Sequence, residues 1–468
     1  VTSTRLANWA HDLTLSDIPP QVRHAACRHL LDGVGNAVAA RRLGHAVPAW
    51  TVAEALGGPP EARPLTGTRA LSAPAAALAT GVLVHALDFD DTHADGLVHA
   101  TAVTLPAALS VGQQVDASGT QVLTAAVAGL ETVCRLGAAS PHGFHARGLH
   151  ATAVAGTLTA ALVGGKLVGL PPDLLVHALG IAGSASGGLL EFLDTGADTK
   201  ALHPGTASLN GLIAARLAAA GAAGPHSVLE GRRGLYAALS ARGADVASVT
   251  AELGERWETA RIGIKPYPAC QLMHVTLDAV AAAIAGHDLV AGQITEVVVD
   301  VHPDSVAIVC GDHAGTGLPR STYDAKFDLP WSVAALLHDG VVTTATYTPA
   351  SIARPEVAAT GALVRTVAVP GDGAAADATG HARVRLQNGR TLSARVECSR
   401  GTAAAPLSDE ALYRKFAANC GEHPRVPELA ERVIGLADEP GLRALLDAAA
   451  EIAVPVSTTR SHTADPVA

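Results

Sequence analysis

From the start of the chain to about Glu258, apolar residues recur at three- and four-residue spacing in runs broken by Gly and Pro. This spacing predicts helices over Pro20–Arg41, Ala73–Leu87, Gly119–Gly137, His150–Leu167 and Ala207–Ala220. Their apolar positions are mostly Ala, Leu and Val, and the frequent Ala allows neighbouring helices to approach closely. After Ile262 the texture changes. Val297–Val301 is β-branched and bounded by turn residues, and Leu363–Val369 reads as a further strand. Ala382–Leu386 and Thr391–Val396 flank Gln387-Asn388-Gly389-Arg390, the signature of an Asn-Gly hairpin. Helices over Gln271–Ala285 and Trp331–His338 lie between these strands. The helical period returns over Asp409–Asn419, Pro427–Leu436 and Glu439–Ile452, and Ser457–Ala468 is expected to be a disordered polar tail. The pattern predicts a mainly α protein with a large all-helical domain built from both chain ends (residues 1–262 and 403–468). A smaller α+β domain (263–402) interrupts it, with clefts at the junction.

Composition narrows the classes. Acidic residues outnumber basic ones 43 to 33, a formal net charge of −10, which argues against nucleic acid or an anionic membrane as partner. Apolar residues make up 49% and charged residues 16%, a balance for a well-buried globular body. The longest uncharged windows are Ala-rich and interrupted by polar residues, so no membrane span is expected. The first residues carry no leader-like apolar core, and the six cysteines have no paired spacing, so a cytoplasmic protein without a disulfide framework is expected. Only five of the 33 basic residues are lysine: Lys166, Lys200, Lys265, Lys326 and Lys415. In a chain that otherwise uses Arg, a retained Lys marks a place for a compact, mobile ammonium. Histidine is abundant, with 21 copies against 5 Phe, 5 Tyr and 4 Trp, and is the side chain suited to proton transfer near neutral pH.

Five segments concentrate this chemistry. The first runs from His85 through Asp88, Asp90, Asp91, Thr92 and His93 to His99. Its carboxylates suggest a divalent metal, but they miss the EF-hand and DDxxD spacings; helix capping, or a carboxylate orienting a histidine, are the alternatives. The second holds His142, His145 and His150, with His150 opening a helix whose free N–H groups attract an anion. For His142 and His145, structural capping is an equal alternative. The third places Lys200 and His203 at a helix entrance, suited to a carboxylate, and no phosphate-binding GxxxxGK[ST] pattern accompanies it. The fourth is Lys265-Pro-Tyr267-Pro-Ala-Cys270-Gln-Leu-Met-His274, where a nearby ammonium offers Cys270 a thiolate reading. The fifth is Asp324-Ala-Lys326-Phe-Asp328-Leu-Pro-Trp331, read either as part of a site or as a Pro-initiated buried helix.

In order and rough spacing, the segments around Asp88, His150, Lys200, Lys265 and Asp324 resemble the signature segments of the MmgE/PrpD family, across nearly the whole chain. The resemblance implies a helical domain with an α+β lid, a homodimer, and catalysis without metal or organic cofactor. Carried over by motif position, it places the pocket of the family's decarboxylase branch on Asp88, Thr92, His99, His150, Lys200 and Lys265. His203, Cys270, His274 and Trp331 are expected to add substrate contacts. Two positions depart from that branch: Cys270 stands where it has a further His, and Trp331 where it has a Tyr.

The expected activity is therefore that of a cofactor-independent lyase on a citrate- or aconitate-like di- or tricarboxylate, most like a 2-methylcitrate dehydratase. His99, His150, Asp88 and Lys200 are the expected catalytic groups, with His99 oriented by Asp88. Decarboxylation or epimerisation on the same scaffold, a non-catalytic carboxylate-binding protein, and a metal enzyme using Asp88, Asp90, Asp91 and His93 are the rival readings.

Overall fold

The computed structural model describes residues 1–310, 318–370 and 375–454, so the tail expected at Ser457–Ala468 lies outside the described residues. The protein is mainly α. Four helices at its centre, Ala73–His85, Ala100–Gln114, Ala151–Leu167 and Thr199–Ala219, pack against one another. Every residue of Ala73–His85 is buried, as expected of a helix apolar on all sides. Small residues set its distance from its neighbour: a Cβ on Gly81 would lie 2.7 Å from the Cα of Gly205. The central core also recruits Leu6 and Val38 from the start of the chain and Leu429 and Leu446 from its far end.

Most elements fall where the apolar period placed them. Thr199–Ala219 differs, beginning well upstream of the expected Ala207. Pro204 and Gly205 look like breakers, yet Pro204 removes only one internal hydrogen bond and Gly205 permits the close helix contact. The earlier start puts Lys200 in the first helical turn.

A second hydrophobic cluster joins Val297, Val299, Ala382 and Val384 to Leu277, Val280 and Trp331. Its sheet has the order Val364–Ala368, Ile294–Val301, Gly380–Leu386, Thr391–Val396; the first pair is parallel, the others antiparallel. Helix His274–Ile284 packs on Gly380–Leu386 and Thr391–Val396. The expected hairpin is present, with Gly389 at φ 80°.

The chain passes between the two clusters beside the first acidic segment. Thr92 pairs with Gly263 and His93 with Ile262, and the Ile264 amide donates to the Gly401 carbonyl at 2.7 Å. Gly401 has φ 86°, and a Cβ there would collide with the Ile264 carbonyl. This pairing carries Lys265 to the loop that holds Asp88. Among the described residues no helix is long and apolar enough to cross a membrane, and all six cysteines are free.

Candidate active site

Helix ends build the site. His85 closes Ala73–His85, His99 precedes Ala100–Gln114, His150 precedes Ala151–Leu167, and Lys200 is the second residue of Thr199–Ala219. Because these helices pack together, their ends meet, and one cavity is lined by Thr92, His99, His150, Lys200, Lys265 and Cys270.

Asp88 is the charge centre beneath that cavity. Lys200 Nζ donates to its Oδ1 at 2.6 Å and Lys265 Nζ at 3.1 Å, and Lys265 also donates to the Asp88 carbonyl at 3.0 Å. All three side chains are buried. Burial alone would push the Asp88 carboxyl up, but the two ammonium groups overcome it and hold it well below the usual range. Asp88 occupies the left-handed region at φ 51°, an uncommon conformation for a non-glycine residue. Lys326 donates to the carbonyls of Leu87 and Pro268 at 2.8 and 3.0 Å, pinning the same loop from the other side. Burial pushes this ammonium down to about 7.

The imidazoles form a cluster. Ring centroids of His85 and His99 are 4.7 Å apart, those of His85 and His150 5.7 Å, and those of His99 and His150 5.8 Å. His99 Nδ1 donates to the Asp91 carbonyl at 2.9 Å, which leaves its Nε2 lone pair 3.5 Å from Lys200 Nζ. His150 Nδ1 meets His203 Nδ1 at 3.1 Å. Burial holds His99 and His150 well below the ordinary histidine value, and His203 at about 4. At neutral pH these rings are uncharged.

Several expectations need correction. His99 is oriented by the Asp91 main chain, with the Asp90 carboxylate 3.8 Å away, rather than by Asp88. His203 reaches the site through His150 and does not line the cavity. His274 turns away, facing the Ala269 carbonyl at 3.0 Å inside the second cluster, because the chain turns into a helix at that residue. Trp331 is also absent from the cavity wall: it lies in the buried helix Leu329–Asp339, whose first turn is capped by Asp328. Cys270 does line the cavity, but burial pushes its thiol up to about 11 despite Lys200 and Lys265, against the thiolate reading. The four metal candidates do not converge, since Asp91 is bound by Thr101 and His93 faces Glu258 at 3.1 Å. The ligand-capable triplets within 4.8 Å among the described residues are His85-His99-His150 and His85-Asp88-Asp90. Lys200 and Lys265 already take up Asp88, Lys200 stands beside His99, His85 is bound to Asp90, and His150 meets His203.

The structure adds residues not selected from the sequence. His85 donates to Asp90 at 2.7 Å and stacks on His150, its ring tilted by 55° against His99, and its place at the head of the acidic segment was its one signal. His145 lines the cavity, as do Leu190, Phe192, Leu193, Ile308 and Phe327. Of these apolar residues only Phe327 lies in a motif, the fifth segment.

Fold and site together define a class: a mainly α protein whose helix ends enclose a buried cavity of ammonium and imidazole groups against an apolar wall. The pattern of the MmgE/PrpD N-terminal domain matches residues 4–246 and that of the MmgE/PrpD C-terminal domain residues 267–438. The chain belongs to the MmgE/PrpD family. It is similar to the cis-aconitate decarboxylase of Aspergillus terreus, 27% identical over 462 residues that cover 93% of each chain. The cis-aconitate decarboxylase of Mus musculus is 29% identical over 361 residues, 74% of this chain and 72% of that one. The Homo sapiens protein of the same name is 28% identical over 354 residues, 74% of this chain and 72% of that one.

Proposed function

We propose that this chain is a lyase that acts without a cofactor on a citrate- or aconitate-like acid. The observation that carries the reading is the meeting of Lys200, Lys265, His99 and His150 over one ionised carboxylate, Asp88. Such a set binds a carboxylate and stabilises the enediolate charge that develops next to it when a bond to the adjacent carbon breaks. Similarity to cis-aconitate decarboxylases favours loss of CO₂. The bond to the departing carboxylate breaks, its electron pair passes into the conjugated acid, and a proton is added at carbon. Lys200 holds that proton, and His99 Nε2 at 3.5 Å is placed to exchange it. His150, at the N-terminus of Ala151–Leu167, holds a second carboxylate of the substrate.

Dehydration remains the second reading, favoured by Cys270 and Trp331 at the two positions that depart from the decarboxylase branch. There His99 Nε2 takes the proton from carbon while Lys200 gives one to the leaving hydroxyl. In either case, residues 263–402 act as a lid domain over a helical domain of residues 1–262 and 403–468, because the cavity draws Cys270 and Phe327 from the former and His99 and Lys200 from the latter. Two copies form a homodimer; exposed Val47, Val52 and Leu56 on one helix and Ile213 and Leu217 on another are apolar surface for it to cover.

The test is to incubate the purified protein with cis-aconitate, citrate and 2-methylcitrate and follow the products by NMR. Turnover of cis-aconitate with release of CO₂ is expected; loss of water from citrate or 2-methylcitrate would favour the second reading. Turnover of none of the three overturns both.

A further inference from the structure

Loss of CO₂ from an acid consumes a proton, because a hydrogen replaces the departing carboxylate on carbon. In the proposed reaction Lys200 gives that proton and must recover it before the next turnover. Its surroundings hold no ready supply. Lys200 is buried, Asp88 is taken up by two ammonium groups, and His99, 3.5 Å from Lys200 Nζ, is buried and neutral. His85 does not lead outward either, since its Nδ1 is bound to Asp90 and its Nε2 is enclosed without a partner. Protons therefore need a route into the site.

His203, near the start of Thr199–Ala219, lies on such a route. It is half-buried, and its Nε2 makes no hydrogen bond within the protein and keeps contact with the surface. Its Nδ1 is 3.1 Å from Nδ1 of the buried His150, whose ring in turn lines the cavity. Two imidazole nitrogens facing each other at this distance share a single hydrogen. When His203 donates it, His150 carries its own hydrogen on Nε2, the nitrogen away from His203. Burial lowers the basicity of both rings, so the shared hydrogen lies between groups of similar character. On the cavity side, His150 and His99 offer nitrogens within 4.8 Å of each other, a gap that one water spans. His145 also neighbours His150, but edge-on at 6.2 Å between centroids, without a hydrogen bond and with its Nδ1 enclosed.

We propose that His203 and His150 form an imidazole relay that carries protons from the surface to the His99–Lys200 pair. The relay rests on the decarboxylase reading, which supplies the demand for one proton per turnover. An external acid, hydronium or a buffer acid, places a proton on His203 Nε2. The hydrogen on His203 Nδ1 passes to His150 Nδ1, and the hydrogen on His150 Nε2 passes through water to His99 Nε2 and on to the Lys200 amine. Each ring gains one hydrogen and loses one, so neither stays charged. Tautomer exchange in the two rings restores them before the next passage. His203 touches no substrate and acts through His150 alone.

The test follows CO₂ release from cis-aconitate through the first turnovers, in dilute buffer, for the full-length protein, His203→Gln and His203→Ala. Gln keeps a donor for His150 Nδ1 but passes no proton on. Because Lys200 starts protonated, His203→Gln is expected to release one CO₂ per site at the unaltered rate and then to slow by at least about tenfold. Added imidazole is expected to restore the later turnovers of His203→Ala in a saturable way and to leave the unaltered protein unchanged. A first turnover slowed as much as the later ones marks a structural role and overturns the relay, as does a steady state that is not slowed. Imidazole rescue in His145→Gln instead of His203→Ala overturns it as well. Should neither His203 variant fold, the unaltered protein decides: a steady state that imidazole accelerates overturns the relay, and one that is independent of buffer supports it. No CO₂ from the unaltered protein overturns the decarboxylase reading and the relay with it, whereas CO₂ release without the expected burst in the variants overturns the relay alone.

Discussion

His99 is held by the main chain of Asp91: its Nδ1 donates to the Asp91 carbonyl oxygen at 2.9 Å, while the Asp90 carboxylate is 3.8 Å away. A carbonyl accepts a hydrogen and offers none, so the ring carries its hydrogen on Nδ1 and its lone pair on Nε2, facing the cavity. The fold thereby selects one tautomer, and burial keeps that ring neutral against the pull of the Asp90 carboxylate.

It follows that His99→Gln should lower kcat by roughly 10²–10⁴. KM should change only a few-fold, since Lys200 and Lys265 bind the acid and remain in place. Steady-state kinetics on the best substrate, with a thermal melt as control, separates the two. A variant with near-normal kcat and an intact fold would show that His99 moves no proton.

Asp88→Asn tests the charge centre. Asn tolerates the left-handed backbone at φ 51°, so the substitution removes charge without adding strain. It leaves Lys200 and Lys265, both buried, without their counter-ion. Breaking one partner of a buried ion pair costs roughly 3–5 kcal/mol. Urea denaturation at neutral pH should show a loss of that order, together with a large fall in kcat/KM. A loss under about 1 kcal/mol would mean that the lysines do not depend on Asp88.

The long helices were legible because their apolar period is sustained: Gly119–Gly137 and His150–Leu167 each fall within a residue of the observed ends. The Thr199 start was hidden because Pro204 and Gly205 carry a breaker signature that tertiary packing overrides. Lys200 and Lys265 could be singled out as lysines retained in an arginine-rich chain and His150 as a histidine opening a helix, whereas His99 was reached through the resemblance to the family's first segment. His274 and Trp331 were misjudged because closeness in sequence to a motif is not closeness in space, and both side chains turn into the second hydrophobic cluster. Leu190 and Ile308 were invisible, since an apolar residue lining a cavity looks the same in sequence as one in a core.

Removal of divalent metal should leave the activity unchanged. His93 is committed to Glu258 at 3.1 Å and Asp91 to Thr101, while Asp88 is occupied by two ammonium groups. Exhaustive dialysis against a chelator, followed by assay with and without added Mg²⁺, Mn²⁺ or Zn²⁺, checks this. Loss of activity on dialysis with recovery on one of these ions would sink the cofactor-independent mechanism.

Asp91 should make stability depend on pH in the sense opposite to an ordinary ion-paired carboxylate. Its Oδ2 lies 3.4 Å from His29 Nδ1, and His29 donates through Nε2 to the Thr259 carbonyl at 3.2 Å. Burial pushes Asp91 up to about 7, against the hydrogen bonds from Thr101, and pushes His29 down to about 3. A neutral His29 then turns a lone pair toward Asp91, which a protonated carboxyl can satisfy and a carboxylate cannot. The folded protein therefore holds this proton more tightly than the unfolded chain, whose carboxyl titrates near 3.8. The stabilisation is full below about pH 4 and is lost as pH rises to about 7. Asp91→Asn has no proton to lose, and its amide can donate to His29 in place of the carboxyl. Relative to the unaltered protein, the variant should gain up to roughly 4 kcal/mol between about pH 4 and pH 7. Lys326, pushed down to about 7, acts with the opposite sign only above that range, so the comparison is confined below it. Urea denaturation of both proteins at three pH values in this window gives the difference directly, and parallel stability curves would show that Asp91 is ionised throughout.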